Sequence, residues 1–286
     1  ESLPETAFSS SALQEALLAH LRRVAGSLVR NAGSLGGNLH MAKSKKFDSD
    51  LSTLLGGLGA MVRIAWGPGR AEEELPWLDY LNGKEDEEQG GEETGPRRHI
   101  LIRLRFRLRD PGAGGKVDVF QSYRAALRKG NSHAFANAAF RATMDSVTGK
   151  VESVCLCVGA LGMPALRAKG SEEALLRVSA DCAAGGTDPL GQASLEAALL
   201  ALRKEVVPAN KTRYRYRVEL LSTFLYKFFL HLKCQVAPSS SSSPSLDARL
   251  LSAATVPDMP AALESSEQTY TRRWMTGEGE ANDHLP

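Results

Sequence analysis

Between Val117 and Lys233 every strand-like run comes before every helix-like run, and no strand-like run follows the helices. Strand patterns fall at Val117–Arg124, Ala138–Thr143 and Glu152–Gly159, and helical patterns at Ser171–Ala180, Leu190–Val206 and Arg217–Lys233. A parallel α/β sheet needs strands and helices in alternation, so this order predicts an α+β unit: an antiparallel sheet with helices on one face. In the last helix Leu220, Phe224, Leu225, Phe228, Phe229 and Leu232 form an apolar stripe, which reads as core.

The breaker Asp110-Pro111-Gly112 separates this unit from an N-terminal one. There, Leu13, Leu17, Leu18, Leu21, Val24 and Leu28 recur at helical spacing and predict one amphipathic helix over 10–29. It runs into Arg30–Asn38, whose glycines predict a tight loop rather than a regular helix. A second short helix is expected near Ser49 and a strand from Ala60 to Trp66. Gly67–Arg98 is Gly-rich and carries the acidic runs Glu72–Glu74 and Glu85–Glu88, so it reads as a solvated insertion with little buried surface. Beyond it Ile102, Leu104, Phe106 and Leu108 alternate with Arg103, Arg105, Arg107 and Arg109, as in a half-buried strand. Ser239–Ser243 is low-complexity linker, and the tail to Pro286 has little periodicity.

With 286 residues, 43% hydrophobic and 24% charged, the chain has the apolar content for one or two cored domains. A net charge of +2 gives no reason to expect a polyanionic partner, so the arginine row reads as a solvated strand face beside the acidic insertion, not a nucleic-acid surface. The four cysteines, Cys155, Cys157, Cys182 and Cys234, form no CxxC pair and read as buried free thiols of a reducing compartment. No apolar run reaches the roughly 20 residues of a membrane span, and no signal-peptide pattern opens the chain, so a soluble, cytoplasmic protein is expected.

Chemistry concentrates in Ser34-Leu35-Gly36-Gly37-Asn38, which offers a hydroxyl, a carboxamide and backbone amides that small residues leave accessible to a phosphate or pyrophosphate. It is not GxGxxG and follows no strand, which excludes a Rossmann fingerprint. A Gly-Gly pair is by itself more often a plain turn. The longer pattern Val29–Leu39, followed by Phe47-Asp48-Ser49-Asp50-Leu51, resembles the flavin-domain signature of the molybdenum hydroxylases, the xanthine dehydrogenase and aldehyde oxidase family. The resemblance continues through His99–Ile102, Phe120–Arg128, Cys157–Ala160, Arg167-Ala168, Tyr216-Arg217 and Phe224–Phe229, covering most of residues 20 to 235. The Asn38-to-Asp50 spacing, with Met41-Ala42-Lys43 inside it, is most similar to the plant and algal aldehyde oxidases, and Ser265–Tyr270 resembles the linker that precedes the molybdenum domain.

The resemblance implies an α+β fold in a fragment of a longer polypeptide. Residues 1–110 would be the C-terminal part of a PCMH-type FAD-binding domain with the acidic insertion 67–98. Residues 115–236 would be a domain like the carbon monoxide dehydrogenase flavoprotein C-terminal domain, and 237–286 a Ser-rich linker and tail leading toward a molybdenum domain. The implied function is electron transfer: FAD takes electrons from iron–sulfur clusters and passes them to oxygen or NAD, while the molybdenum cofactor and 2Fe–2S clusters sit elsewhere in a homodimeric parent enzyme. Four dispersed cysteines cannot supply two clusters of four ligands each.

By the same resemblance Ser34, Leu35, Gly36, Gly37 and Asn38 hold the FAD pyrophosphate and nearby hydroxyls, Asp50 accepts hydrogen bonds from FAD hydroxyls, Leu101 packs on the isoalloxazine ring and Arg124 lies near it. Read without it, Asp50 is a residue at a helix start, Leu101 strand core and Arg124 surface. Val24 stands where some family members place an aromatic on adenine, and the family's first FAD loop has no counterpart. Those two departures favour an alternative, a cofactor-free interaction or scaffolding fragment of the same fold.

Overall fold

The computed structural model describes residues 11–66, 71–83, 99–107, 115–127, 132–207, 214–236 and 248–254. The N-terminal unit opens with α1 (Ser11–Leu21), α2 (Ser27–Ala32), α3 (Leu35–Ser44) and α4 (Asp50–Gly57). The single helix expected over 10–29 is therefore broken after Leu21, where Ala25 takes a positive φ of 54°. The break is held by Arg30, whose guanidinium donates to the carbonyls of Arg22 (3.3 Å), Val24 (2.8 Å) and Ala25 (3.1 Å). Carbonyls past a helix end lack intrahelical donors, and one side chain here serves three of them.

A three-stranded antiparallel sheet follows, ordered β2-β1-β3, from β1 (Met61–Trp66), β2 (Ala71–Pro76) and β3 (His99–Arg105). The expectation that 67–98 buries little is corrected for its first half: β2 and α5 (Trp77–Asn82) lie inside it, and Trp77 is wholly buried. The apolar residues Leu75, Trp77, Tyr80 and Leu81 drive this, and the Trp77 indole donates to the carbonyl of Ser52 at 3.1 Å. The acidic run is exposed as expected and pairs with arginines across the sheet, Glu72 with Arg63 (3.2 Å) and Glu74 with Arg105 (3.0 Å). Residues 84–98 lie outside those described.

The alternation read in β3 shifts phase within the strand. Arg63 pairs with Arg103 but Ile64 with Leu101, so Ile102 is an extra residue in a bulge and faces solvent while Leu101 turns inward. By strict parity Leu101 would have shared the arginine face.

The second unit has the order the sequence dictated. Strands β4 (Lys116–Ala126), β5 (Ala134–Asp145), β6 (Val151–Gly159) and β7 (Leu166–Arg167) form an antiparallel sheet in chain order. Helices α6 (Lys169–Ala184), α7 (Gln192–Glu205) and α8 (Tyr214–Cys234) follow. Their apolar stripes close over Phe140, Leu156 and Val158 with Leu175, Leu202, Leu221, Phe228 and Phe229, each a side chain whose burial contributes about 1.5–3 kcal/mol. The tail, expected to lack periodicity, contains a short helix α9 (Ala248–Ala254) that packs on α8. The rest of 237–286, including the Ser-rich linker, lies outside the described residues.

Helices of the second unit cover one face of its sheet, and the N-terminal unit covers the other. Leu54 of α4 and Leu58 just after it meet Phe120 and Ala139, with Leu13, Leu17 and Leu21 of α1 packed alongside. Contact is closest at glycines: a Cβ on Gly57 would stand 2.5 Å from the Ala139 Cβ, and one on Gly159 would stand 2.5 Å from the Asn137 Oδ1. Helix α4 thus lies backbone to backbone against β5, which brings its first residues to the ends of β4 and β5.

Candidate functional site

Ser34 begins α3 in an extended conformation (φ −116°, ψ 148°), and its Oγ accepts the Gly37 amide at 3.1 Å while its carbonyl accepts the Asn38 amide. The segment expected to be a tight loop is instead the first turn of a helix. Glycine costs helices about 1 kcal/mol, but a serine cap at the start and the burial of Leu39 and Ala42 further on offset it. Leu35 and Gly36 are exposed, their amides precede the first intrahelical bonds, and a Cβ on Gly36 would meet nothing within 4 Å. Such a turn carries positive partial charge and free N–H donors, which suits a phosphate. The rod behind it is fixed. Leu39 and Ala42 enter a cluster with Val62, Ile64 and Trp77, and Lys43 Nζ donates to the Tyr80 carbonyl at 2.9 Å.

Asn38 follows the turn, half-buried, with its Oδ1 accepting the Ser49 hydroxyl at 2.6 Å. Ser49 in turn caps α4 by accepting the Ser52 amide at 3.1 Å. Next to it, Asp50 has a side chain only 11% exposed, and both its oxygens are engaged: Arg124 Nε donates to Oδ2 at 3.1 Å and Asn137 Nδ2 donates to Oδ1 at 2.5 Å. Thr53 donates to the Asn137 Oδ1 at 2.9 Å, so Asn137 is locked in its orientation. Burial works to raise the Asp50 pKa, but His20, the Arg124 charge and the Asn137 amide together overcome it and hold the carboxyl at about 2. His20 Nε2, 3.9 Å from Asp50 Oδ1, is too far for a direct hydrogen bond and acts by proximity. Asp48, two residues earlier, shifts the other way, pushed up by burial against weaker help from the Gly162 amide and Arg217.

The structure joins Asn38, Asp50 and Arg124 through Ser49 and α4. Arg124 is 4% exposed and also donates to the Ser132 carbonyl, so the surface position its strand suggested is in fact a buried ion pair. Leu101 packs against the same cluster that anchors α3. Val24 is half-buried between α1 and α2, tied to α2 through Arg30. Sequence reasoning missed His20, Ser49 and Asn137. A polar Asn137 amid Ala136, Ala138 and Phe140 was the one visible signal, since a buried amide needs partners. Of the thiols expected to be buried, Cys157 is, Cys155 and Cys182 are half-buried and Cys234 is exposed, because Cys234 ends α8 beyond the apolar stripe. Among the described residues no group of His, Cys, Asp and Glu is placed to hold a metal, and no helix is long and apolar enough to cross a membrane.

Residues 3–102 match the FAD binding domain in molybdopterin dehydrogenase, and residues 121–232 match the CO dehydrogenase flavoprotein C-terminal domain. The chain belongs to the flavoprotein family of the molybdenum hydroxylases. It is 33% identical over 221 residues to an indole-3-acetaldehyde oxidase of Arabidopsis thaliana, covering 73% of this chain and 15% of that protein. An abscisic-aldehyde oxidase of the same plant is 28% identical over 231 residues, covering 78% and 16%. The chain therefore spans about 15% of the length of the curated relatives it matches. Among solved structures, the Cu,Mo-CO dehydrogenase superposes with a TM-score of 0.54 at 19% identity, over 75% of this chain and 65% of that one. Quinoline 2-oxidoreductase from Pseudomonas putida 86 gives 0.56 at 17%, over 80% and 72%. This flavoprotein-family chain shares their fold, mixed helices and antiparallel sheets in two units.

Proposed function

We propose that this chain binds FAD across the first turn of α3 and acts as the electron-transfer module of a molybdenum-dependent oxidoreductase of the aldehyde oxidase type. The observation that carries the reading is the capped, anchored and open N-terminus of α3, with free amides at Leu35 and Gly36 and no carboxylate among residues 34 to 38. These amides would face the diphosphate, Ser34 and Asn38 would hold adjacent oxygens, and Leu101 would offer an apolar surface to the ring. Asp50, ionised above about pH 2, balances Arg124, so the pair places little net charge beside the ring. Its engaged oxygens retain lone pairs, which leaves it able to accept a ligand hydroxyl.

Bound FAD would supply redox chemistry here, a two-electron store between iron–sulfur clusters and oxygen or NAD. Those clusters, the molybdenum cofactor and the substrate pocket would belong to other domains of a homodimeric parent enzyme. What this chain contributes is binding, orientation and electrostatics.

Titration of the purified chain with FAD, followed by quenching of flavin fluorescence, tests the reading. Binding is expected to be lost in Gly36→Val, whose Cβ enters open space at the turn, and weakened in Asn38→Ala. Wild-type protein that fails to bind at saturating FAD, or variants that bind as well as wild type, would overturn it.

A further inference from the structure

A carboxamide presents either an acceptor or a donor to its ligand, and the structure assigns that choice at Asn38 to Ser49. The Ser49 side chain is buried, 5% exposed, and its Oγ already accepts the Ser52 amide. Its own proton therefore needs an acceptor, and Asn38 Oδ1 at 2.6 Å takes it. Turning the amide over would put an N–H where Oδ1 stands and take from the buried Ser49 hydroxyl the acceptor its proton has here. With Oδ1 committed, the Asn38 Nδ2 is left without a partner among the described residues, and it sits immediately after the open turn of α3. We propose that Ser49 is a positioning residue: it fixes the Asn38 amide with its NH2 outward, so that the site prefers a ligand rich in oxygen acceptors. The inference rests on the FAD reading and deepens it, because phosphate oxygens only accept and ribityl or ribose oxygens accept readily.

Two substitutions separate this role from helix capping. Glycine caps helices nearly as well as serine but has no hydroxyl, so Ser49→Gly removes the donor and keeps the start of α4. Ser49→Thr keeps both. In ligand-free protein, the side-chain ¹⁵N–¹H pair of Asn38 is expected to move in Ser49→Gly and to return to its wild-type position in Ser49→Thr. FAD affinity should fall about tenfold in the glycine variant, the loss of roughly one oriented hydrogen bond, and recover in threonine. Equal FAD affinity in wild type and Ser49→Gly overturns this inference and leaves the proposed function standing. If wild type binds no FAD, the proposed function falls, and the amide pair alone decides here: signals unmoved in Ser49→Gly overturn the assignment of orientation to Ser49.

Discussion

Two helices of the N-terminal unit are treated in opposite ways. Helix α4 buries every residue from Ser52 to Gly57 against the second unit's sheet, whereas the first turn of α3 is exposed from Leu35 to Gly37, with Leu35 at 49%. Glycines occur at both places and do different work. In α4 they let two backbones touch, so their value is the space they leave empty; in the first turn of α3 they leave amides open to solvent. The contact face is specified by shape and the open face by donor chemistry. Substitutions should therefore damage folding at the first and ligand affinity at the second.

The sharpest break between them is Gly57→Ala. Its new Cβ would sit 2.5 Å from the Ala139 Cβ and closer to that residue's carbonyl oxygen, and backbone cannot swing aside as a side chain can. Overpacking typically costs about 1–3 kcal/mol, and the upper end is expected where backbone is in the way, so urea unfolding should show a strongly destabilised variant. A loss under about 1 kcal/mol would mean that α4 does not lie as close to β5 as described, and the contrast would fail.

A smaller effect comes from the carboxylate that joins the two faces. Asp50 has a folded pKa of about 2 against an ordinary 3.8, so it contributes stability that is present above pH 3.8 and lost as pH falls through about 2. The shift corresponds to about 2 kcal/mol. Asp48, whose pKa burial raises, works in the opposite sense: it costs stability once pH rises past the ordinary value and its charge must be borne inside. Acid titrations of stability should show a steep loss between about pH 4 and pH 2 in wild type that flattens in Asp50→Asn, while Asp48→Asn gains stability at neutral pH. An unchanged acid limb in Asp50→Asn would detach the Arg124–Asp50–Asn137 network from the stability of the interface.

What the sequence made legible follows the same division. Order and period of apolar residues gave the second unit almost completely, because β4 to β6 and α6 to α8 each bury one regular face. The failures have local causes that periodicity does not encode. A side chain reaching back to the carbonyls of residues 22, 24 and 25, Arg30, holds the break after α1, and a bulge at Ile102 turns Leu101 inward. Trp77 and Tyr80 outweigh the charges before them, so β2 and α5 form where acidity signalled solvent. At the site, Ser34 to Asn38 stood out by residue type and Asp50 through the family resemblance, but Ser49, Asn137 and His20 act only through tertiary contacts. A serine beside an aspartate at a helix start looks like a cap, and nothing in its neighbours reveals that its proton goes to Asn38.

Gly36→Ala carries the smallest expected effect on folding and is for that reason the most discriminating. At this position the added methyl meets nothing within 4 Å, and alanine is the better helix former, so stability should hold or rise by up to about 1 kcal/mol. The same methyl lies beside the free amides of the turn, where a diphosphate would approach most closely, and FAD affinity should fall while the unfolding midpoint does not. Gly57→Ala is the mirror case, adding the same group to another helix with the reverse ranking of consequences. If Gly36→Ala instead lowers stability by as much as Gly57→Ala, the α3 turn is covered by protein and not open, and the ligand face must be sought elsewhere on the unit. If stability and FAD affinity are both untouched, the turn is open but no diphosphate sits on it.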